Sequence, residues 1–544
     1  MLIIFSIVSF SILYIGYRFY SDFIEKKYGV SESETTPSIE INDGYDYVPT
    51  NKWILLGHHF SSIAGAGPIV GPIMAALYFG WGPAVLWIIL GTIFIGGVHD
   101  FSSLIISIRH KGKSIAEIAN LYINKRTYKV FLIFVWFALM YVVAVFADIT
   151  ASTFSSSPEV SQISVLYTFI ALIFGWLNYK YKINKLWLTI FSLLVILIGI
   201  YLSFNFKFIF IDKSLWIYAL LFYAFIASVL PVWLLLQPRD YLSSYILYFS
   251  VIIGILGLFG GGYKISYPSF LSIDPNPIGS IFPFLFVTIA CGAISGFHSL
   301  VASGTTSKQI DYIKNARFIG YGSMVLEAVV AIIALSTVMI LSFDKSVLSL
   351  QPAQVYAMGI SNFLSLVGVN ESIGKVFGFL IVSGFVLTTL DTATRIARYI
   401  FQEIVGRQLA SIGVRVLATI ISLIIPYLLL NLKIKGSDGV IIPCWKIIWP
   451  IFGITNQLLA ALVLIIIYLW AKKEKIKKTV FILLPAIFMV VTTLYALVLK
   501  IVESISSSSY NIVFYIAIIL LALSIFVIYE TGKSLINLGV NDGT

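Results

Sequence analysis

The amino-acid sequence predicts an all-α membrane protein that crosses the bilayer many times. Hydrophobic residues make up 59% of its 544 residues and charged residues only 11%, whereas soluble domains carry about 25% charged residues. Apolar runs repeatedly exceed the roughly 18 residues that mark a membrane-spanning helix. One of these runs is interrupted in its middle by glycine, proline and histidine, which is typical of the discontinuous helices of transporters.

The apolar runs give about fifteen candidate spans by the twenty-residue rule. The first run lacks a preceding basic region and a small-residue cleavage site, so we expect an uncleaved span instead of a signal peptide. In chain order the candidate spans are 2–20, 54–79, 84–108, 130–153, 162–179, 187–205, 215–236, 242–262, 281–301, 318–342, 373–394, 411–431, 447–470, 480–501 and 510–530.

The loops between these spans alternate in charge. Because basic loops face the cytoplasm, the alternation predicts an N-terminus outside and a C-terminus inside. The loop 432–446 is the exception, since it falls outside despite its lysines. The net charge of +11 thus follows membrane topology and does not indicate nucleic-acid binding. The basic loops are 109–129, 180–186, 306–317, 395–415 and 472–478.

Several function classes are excluded by missing motifs. A glycine-rich phosphate loop, a dinucleotide fingerprint and an HExxH sequence are all absent, which argues against an ATP-driven pump and a zinc protease. Cys291 and Cys444 are too few for a disulfide framework and have no metal-ligand spacing. We therefore expect no catalytic residue, no metal and no cofactor, and no enzyme activity.

The interrupted run is residues 57–72, GHHFSSIAGAGPIVGP. Proline removes a backbone donor and glycine leaves the backbone exposed. Hydrocarbon tolerates freed backbone groups only where they are buried in protein or line a wet cavity. The pattern predicts a broken helix at a transport site. The alternative is a kinked, tightly packed helix, since glycines also let helices approach closely.

A second glycine-rich interruption lies at 291–309, CGAISGFHSLVASGTTSKQ. In the predicted topology the two interrupted helices run in opposite directions, as an inverted repeat predicts. A chance match remains the alternative, because only three positions agree and the two histidines lie at different ends of their spans. Both interruptions have the spacing G-x-H-x-x-x-x-x-G, formed by Gly57, His59 and Gly65 and by Gly296, His298 and Gly304.

Ionisable side chains inside the predicted spans are few, and each is costly in hydrocarbon. Asp100 has only His99 as a basic neighbour in its span, and a carboxylate buried without a partner takes up a proton near neutral pH. Histidine titrates in the same range, so His59 and His298 are further proton-coupling candidates. Asp391 has two interpretations of equal weight, a transport role and a local i,i+4 ion pair with Arg395.

The remaining polar residues of the spans are assigned structural roles. Asp148 and Glu327 are expected to cap a helix or contact an interface. The sequence QPRDY at 237–241 predicts a cytoplasmic turn at which Pro238 ends a helix. The run 455–457, Thr-Asn-Gln, is expected to pack helices together through hydrogen bonds.

Six motifs resemble the carbon starvation protein A family. They are HHFSSIAGAGPIVGP, GGVHDF, QPRDY, GFHSLVASGTTSKQ, TTLDTATR and FGITNQLLAA. They occur in family order from about Trp53 to about Ala461, while the first 50 residues and the last two spans carry little of the resemblance. It implies a cytoplasmic-membrane transporter used when carbon is scarce, importing peptides or, by proton symport, pyruvate. It also implies a relation to the amino acid–polyamine–organocation superfamily, whose inverted repeats have discontinuous helices.

Three regions follow from the spans and the resemblance. Residues 1–52 hold the first span and an acidic, turn-rich connector that we expect to be flexible and cytoplasmic. Residues 53–400 form the transport core that the family shares, and residues 401–544 are C-terminal membrane helices that complete the bundle.

The leading functional prediction is a secondary active importer of a small carboxylate or short peptide, embedded in the lipid bilayer. Half-helix N-termini at a break suit a carboxylate, and a peptide needs Asp100 or Asp391 for its ammonium. The coupling ion is H+, with Na+ as the alternative; a nutrient sensor is the alternative function. The predicted proton-coupling residues are His59, Asp100, His298 and Asp391. The predicted substrate-binding residues are Ser61, Ser62, Gly65, Ala66, Gly67, Gly296, Ser299, Ser303 and Gly304.

Overall fold

The structure is a computed structural model of the whole chain. It describes all residues except 276–277, 345–346, 349, 407–410, 436–440, 507–511 and 542–544. The side chains of 434–435, 441–447, 449–450 and 538–541 are likewise outside the description.

The chain is almost entirely helical, as its apolar runs predict. In the first half the helices are α1 (Leu2–Ile15), α2 (Ser21–Tyr28), α3 (Pro37–Glu40), α4 (Lys52–Ile63), α5 (Gly67–Phe79), α6 (Trp81–Gly91), α7 (Gly97–Arg109), α8 (Ile115–Tyr122), α9 (Lys125–Ser156), α10 (Pro158–Lys180), α11 (Lys185–Asn205), α12 (Lys213–Val229) and α13 (Leu236–Gly260). In the second half they are α14 (Ile281–Thr288), α15 (Ala290–Ala293), α16 (Gly296–Gly304), α17 (Gly322–Met339), α18 (Pro352–Ser365), α19 (Glu371–Ile404), α20 (Ile412–Asn431), α21 (Cys444–Lys473), α22 (Val480–Ser506) and α23 (Ile512–Asn541).

Short irregular elements join some of these helices. Turns of π-helix connect α1 to α2, connect α6 to α7 and precede α17, and a turn of 3₁₀ helix, Thr306–Lys308, follows α16. A small antiparallel hairpin, β1 (Lys433–Lys435) with β2 (Ile441–Pro443), lies between α20 and α21.

The membrane-spanning character is confirmed, but the count of about fifteen spans is not. Within the described residues, twelve helices are long and apolar enough to cross a bilayer, and the bent pair α4–α5 raises this to thirteen. The two other predicted spans fall on the short helix α12 and on the segment divided into α14, α15 and α16. A length rule does not recognise a span that is divided into short helices.

Small residues bring the central helices together. A Cβ added to Gly378 of α19 would lie 2.5 Å from the Cα atom of Ala357 in α18, and one added to Gly57 of α4 would lie 2.8 Å from the Ser244 hydroxyl in α13. Such close approach is the usual basis of helix packing in membranes. The central helices share one buried apolar core, while the peripheral helix α11 exposes Leu194, Leu197 and Ile198, as lipid contact requires.

The connector before α4 is bound to the helical core, which differs from the expected flexible segment. We call residues 36–50 the strap. The Ser38 hydroxyl donates to the carbonyl of Ile310 (2.6 Å), and the Thr50 N–H donates to the carbonyl of Gln309 (2.9 Å). The polar composition that indicates disorder here supplies side-chain and backbone hydrogen bonds to the loop after α16.

Candidate functional site

The first predicted break is present between α4 and α5. The two helices are bent by 43° across residues 64–66. Helix α5 begins at Gly67 with Pro68 in its first turn, where the missing proline N–H costs nothing because that group has no helical partner. The glycine–proline run therefore divides this span at the predicted position.

The second predicted break is also present, between α15 and α16. Ile294 and Ser295 have extended backbone conformations, with φ of −163° and −137°, and separate Ala293 from Gly296. The main chain freed at this break is bound by side chains of α21. Asn456 Oδ1 accepts from the Phe297 N–H (3.1 Å) and Gln457 Nε2 donates to the Ile294 carbonyl (3.3 Å). Residues 456 and 457 thus form the expected interhelical hydrogen bonds, and they form them with the main chain of the second break.

The two breaks lie directly against each other. A Cβ added to Gly67 would lie 2.0 Å from Cys291 Cβ, and one added to Gly71 would lie 2.6 Å from the Thr288 carbonyl oxygen. Glycine is needed at these positions because α5 lies against the Cys291 side chain at Gly67 and against the Thr288 backbone at Gly71. The tight-packing alternative for the glycines is therefore correct alongside the broken-helix prediction.

The glycine at the start of α16 gives a direct test of this packing. A Cβ at Gly296 would lie 2.5 Å from the Asn456 carbonyl oxygen and 2.6 Å from the Ala460 nitrogen, and rigid backbone cannot yield. We expect Gly296→Ala to destabilise the protein by about 1–3 kcal/mol and to lower the unfolding temperature in detergent. The control Gly413→Ala, where nothing lies within 4 Å, should leave that temperature unchanged or raised. Equal behaviour of the two variants would contradict the packing.

A cluster of four ionisable side chains lies beside the breaks. We call His99, Asp100, His298 and Glu327 the histidine–carboxylate cluster. Asp100 Oδ1 lies 2.8 Å from His99 Nδ1, and Asp100 Oδ2 lies 2.8 Å from His298 Nδ1. The other ring nitrogen of His298, Nε2, lies 3.4 Å from Glu327 Oε2. All four side chains are completely buried, so buried ionisable groups join helices α7, α16 and α17.

Glu327 is the member of this cluster that sequence reasoning assigned to a cap or an interface. Among the described residues neither of its carboxylate oxygens has a hydrogen-bond partner, and neither does His298 Nε2. Buried polar groups are ordinarily hydrogen-bonded, so this pair is a buried acid–base contact that lacks hydrogen bonds. The available signal was its position inside an apolar span, which by default indicates function.

His59 lies at the edge of the cluster, on α4. Its Nδ1 atom lies 2.7 Å from the Thr306 hydroxyl just beyond α16. Its Nε2 atom is buried and has no hydrogen-bond partner within the described part of the chain. His59 and Thr306 thus connect the helix of the first break to the end of the second broken segment.

The predicted substrate-binding residues occupy both breaks, and their serines bond locally. The Ser61, Ser299 and Ser303 hydroxyls donate to main-chain carbonyls of their own helices, each at 2.7 Å. Ser62 instead reaches α19, where its hydroxyl lies 3.2 Å from that of Thr392. The turn residues Gly65 and Ala66 lie beside Ser62, with Thr389 of α19 facing Gly65.

A second buried ionic cluster forms around Arg239 and corrects two expectations. The sequence QPRDY is not a turn after a helix, because α13 begins at Leu236 and both Arg239 and Asp240 are buried. Asp391 does not pair with Arg395. Its Oδ2 atom lies 2.8 Å from Arg239 NH1 and accepts from the Tyr223 hydroxyl at 2.6 Å.

The same cluster reaches back to the first break. His58 Nδ1 lies 2.6 Å from Asp240 Oδ2. The adjacent histidines of α4 therefore have different partners, since His58 contacts the Arg239 cluster and His59 contacts Thr306. Arg395 donates to the Ala227 carbonyl at 2.6 Å instead of pairing along its own helix. Sequence spacing favours neighbours three or four residues apart, whereas these partners come from distant helices.

Comparison with known proteins finds relatives along most of the chain. The profile of the family described as carbon starvation protein CstA matches residues 1–350 and 343–496. The chain is 32% identical over 558 residues to the peptide transporter CstA of Campylobacter jejuni, covering 90% of this chain and 78% of that protein. It is 30% identical over 593 residues to the pyruvate/proton symporter BtsT of Escherichia coli, covering 91% and 81%. The crystal structure of MhsT in complex with L-phenylalanine aligns with a TM-score of 0.48 and 14% identity, covering 89% of this chain and 99% of that one.

The similarity extends beyond the six motifs. The family profile begins at residue 1, so it includes the first span and the strap, and it continues into α22. Both named relatives are transporters, so the chain is a transporter, and the alternative of a nutrient sensor is not supported. The chain therefore belongs to the carbon starvation protein CstA family of membrane transporters.

Proposed function

We propose that this transporter imports a small carboxylate by proton symport across the cytoplasmic membrane, and that it serves cells short of carbon. The observation that carries the proposal is the buried histidine–carboxylate cluster beside two broken helices. The name of one relative, a pyruvate/proton symporter, supports the substrate class and the coupling ion. The orientation that agrees with the basic loops has the N-terminus outside and the C-terminus inside.

The coupling proton is carried by Asp100, His298 and Glu327, with His59 beside them. Every added or removed proton changes the net charge of a completely buried site, where an unbalanced charge is costly. Because the three residues belong to α7, α16 and α17, protonation changes the attraction between those helices. A symporter needs such a link between proton binding and helix position.

The substrate carboxylate is placed at the first break. Helix α5 begins at Gly67, and the positive end of its dipole favours an anion, although Pro68 has no N–H and the Ile69 and Val70 N–H groups already donate to the Ala66 carbonyl. Ser61, Ser62, Gly65 and Ala66 surround that terminus along the chain. The other predicted substrate-binding residues, Gly296, Ser299, Ser303 and Gly304, follow the second break along α16, where the Phe297 N–H is already bound by Asn456.

The pairing of Asp100 and Asp391, the two acids predicted to bind a peptide ammonium, favours a simple carboxylate over a peptide, although among the described residues the Glu327 carboxylate has no hydrogen-bond partner. A peptide brings an ammonium group that needs a free carboxylate. Asp391 is held by Arg239 at 2.8 Å, and Asp100 is held by two histidines. We therefore assign Asp391 to the ion pair with Arg239 and not to proton coupling. Peptide import, the activity named for other relatives, is the second candidate.

Uptake by reconstituted protein tests the proposal. Sealed vesicles with an inward proton gradient receive labelled pyruvate or labelled dialanine, with and without a protonophore. We expect pyruvate to accumulate above its external concentration, and the protonophore to abolish this accumulation. Accumulation of dialanine alone would favour the peptide alternative. Accumulation driven only by a sodium gradient would show that the coupling ion is Na+ and not H+. Binding without movement of either compound would overturn transport.

A further inference from the structure

A cavity of about 200 Å³ lies under the strap, apart from the histidine–carboxylate cluster. Ile41, Asp46 and Tyr47 of the strap form one wall, and Ser303 with Gly304 at the end of α16 form another. The volume corresponds to about seven water molecules, which is the size of a three- or four-carbon acid. The cavity thus begins where the second broken helix ends.

The acidic side chains on the cavity wall have close polar partners, whereas the buried lysine on that wall has no close carboxylate in the part of the chain that the structure describes. Each of its three carboxylates already has a polar partner. Asp46 Oδ1 accepts from the Tyr399 hydroxyl at 2.5 Å, Glu117 pairs with Lys113 at 2.7 Å, and Glu403 Oε2 accepts from the Ser114 hydroxyl at 2.8 Å. Each lining acid is therefore engaged by a hydroxyl group or by Lys113.

Lys308 is the enclosed cation on this wall. Its Nζ atom lies 4.3 Å from the centre of the Tyr399 ring and 5.4 Å from that of Tyr47, and within the described residues no carboxylate oxygen lies within 4 Å of it. Burial lowers the pKa of Lys308 below its ordinary value, although Asp46 and Glu403 act to raise it. A bound anion would offset that unfavourable burial.

Asp46 is committed to other cations nearby. Burial acts to raise its pKa, but Arg398, Arg395 and Lys308 together hold the pKa of Asp46 below its ordinary value. Its Oδ1 atom lies 3.6 Å from Arg395 NH1 and 3.8 Å from Arg398 NH2. Lys308 therefore shares Asp46 with Arg395 and Arg398, so this carboxylate alone does not balance the charge of Lys308.

We infer that this cavity is a second binding site for a small carboxylate, in which Lys308 binds the carboxylate group and Leu300, Ile396 and Ile400 contact the carbon chain. The substrate class rests on the proposed function. The site adjoins the basic segments 109–129, 306–317 and 395–415. Because basic segments face the cytoplasm, it is the site from which the substrate leaves on the cytoplasmic side.

Side-specific kinetics test this site. In vesicles of known orientation, Lys308→Gln should raise the half-saturation concentration of pyruvate from the basic-loop side about tenfold, and that from the other side less than twofold. Lys308→Arg should restore most of the affinity. Lys314→Gln, in the same loop but away from the cavity, should change neither side. An equal change on both sides, or no change, would overturn the inference.

A second measurement does not depend on coupled transport. In a Cys291→Ser, Cys444→Ser background, Ile400→Cys should react with a small thiol reagent, and pyruvate should slow that reaction. Adding Lys308→Gln should remove the protection. Protection without pH-driven uptake would retain the site and refute the symport. Uptake without protection would refute the site, and equal protection by chloride would refute its preference for carboxylates.

Discussion

Asp100→Asn is expected to abolish proton-driven accumulation while leaving substrate exchange intact. The amide has nearly the shape of the carboxylate but cannot carry a charge between His99 and His298, which lie 2.8 Å away on either side. With one proton per solute, a gradient of one pH unit supports about tenfold accumulation in the unaltered protein. The variant should reach only equilibrium, a ratio of about one, in the same vesicles.

The control for this experiment is another buried aspartate. Asp148→Asn removes a carboxylate that pairs with Lys213 at 2.7 Å, far along the chain from the cluster, and should keep accumulation. Glu327→Gln should behave like Asp100→Asn. Accumulation that survives in both Asp100→Asn and Glu327→Gln would place proton coupling elsewhere. Loss of exchange as well as accumulation in Asp100→Asn would make Asp100 part of the substrate site.

The breaks were predictable from sequence because their cause is local. Proline and glycine interrupt a helix through their own backbone chemistry, so residues 57–72 and 291–309 already mark both positions. Helix α5 begins at Gly67 and α16 at Gly296, inside those segments. Asp100 and His298 were predicted as separate candidates from the cost of charge in an apolar span, and their contact was not predicted.

The pairings within the site were not predictable, because they join distant parts of the chain. Arg239 and Asp391 are 152 positions apart, and Asp100 and His298 are 198 apart. Local spacing suggested Arg395 for Asp391, since residues four apart meet on a helix surface. The predicted Asp391–Arg395 pair is wrong because Arg395 donates to carbonyls at the end of α12, while α13 places Arg239 against α19.

The number of spans was also only partly predictable, because it depends on both local hydropathy and contacts between distant residues. Hydropathy located the apolar segments, but a rule based on length cannot say how a segment such as 281–301 is divided. The extended residues Ile294 and Ser295 are held by Asn456 and Gln457 from α21. Without those distant amides, the freed main-chain groups would be unsatisfied in an apolar setting.

Arg239→Met is expected to cause a large loss of stability. Arg239 is 1% exposed and its NH1 atom lies 2.8 Å from Asp391 and 3.1 Å from the Thr388 hydroxyl. Removing one partner of a buried ion pair leaves the other charge uncompensated and costs about 3–5 kcal/mol. The unfolding temperature of detergent-solubilised protein, followed by fluorescence-detected gel filtration, should fall accordingly.

The double variant Arg239→Met, Asp391→Asn should recover at least half of that loss. The asparagine removes the unpaired charge, and its amide oxygen still accepts a hydrogen bond from the Tyr223 hydroxyl, which lies 2.6 Å from Asp391 Oδ2. Double-variant recovery of this kind measures the interaction between two neighbouring side chains. Additive losses would show that the two charges act independently. The single variant Asp391→Asn then decides the role of this acid: retained pH-driven accumulation assigns it to structure, and lost accumulation in a stable protein would return it to proton coupling.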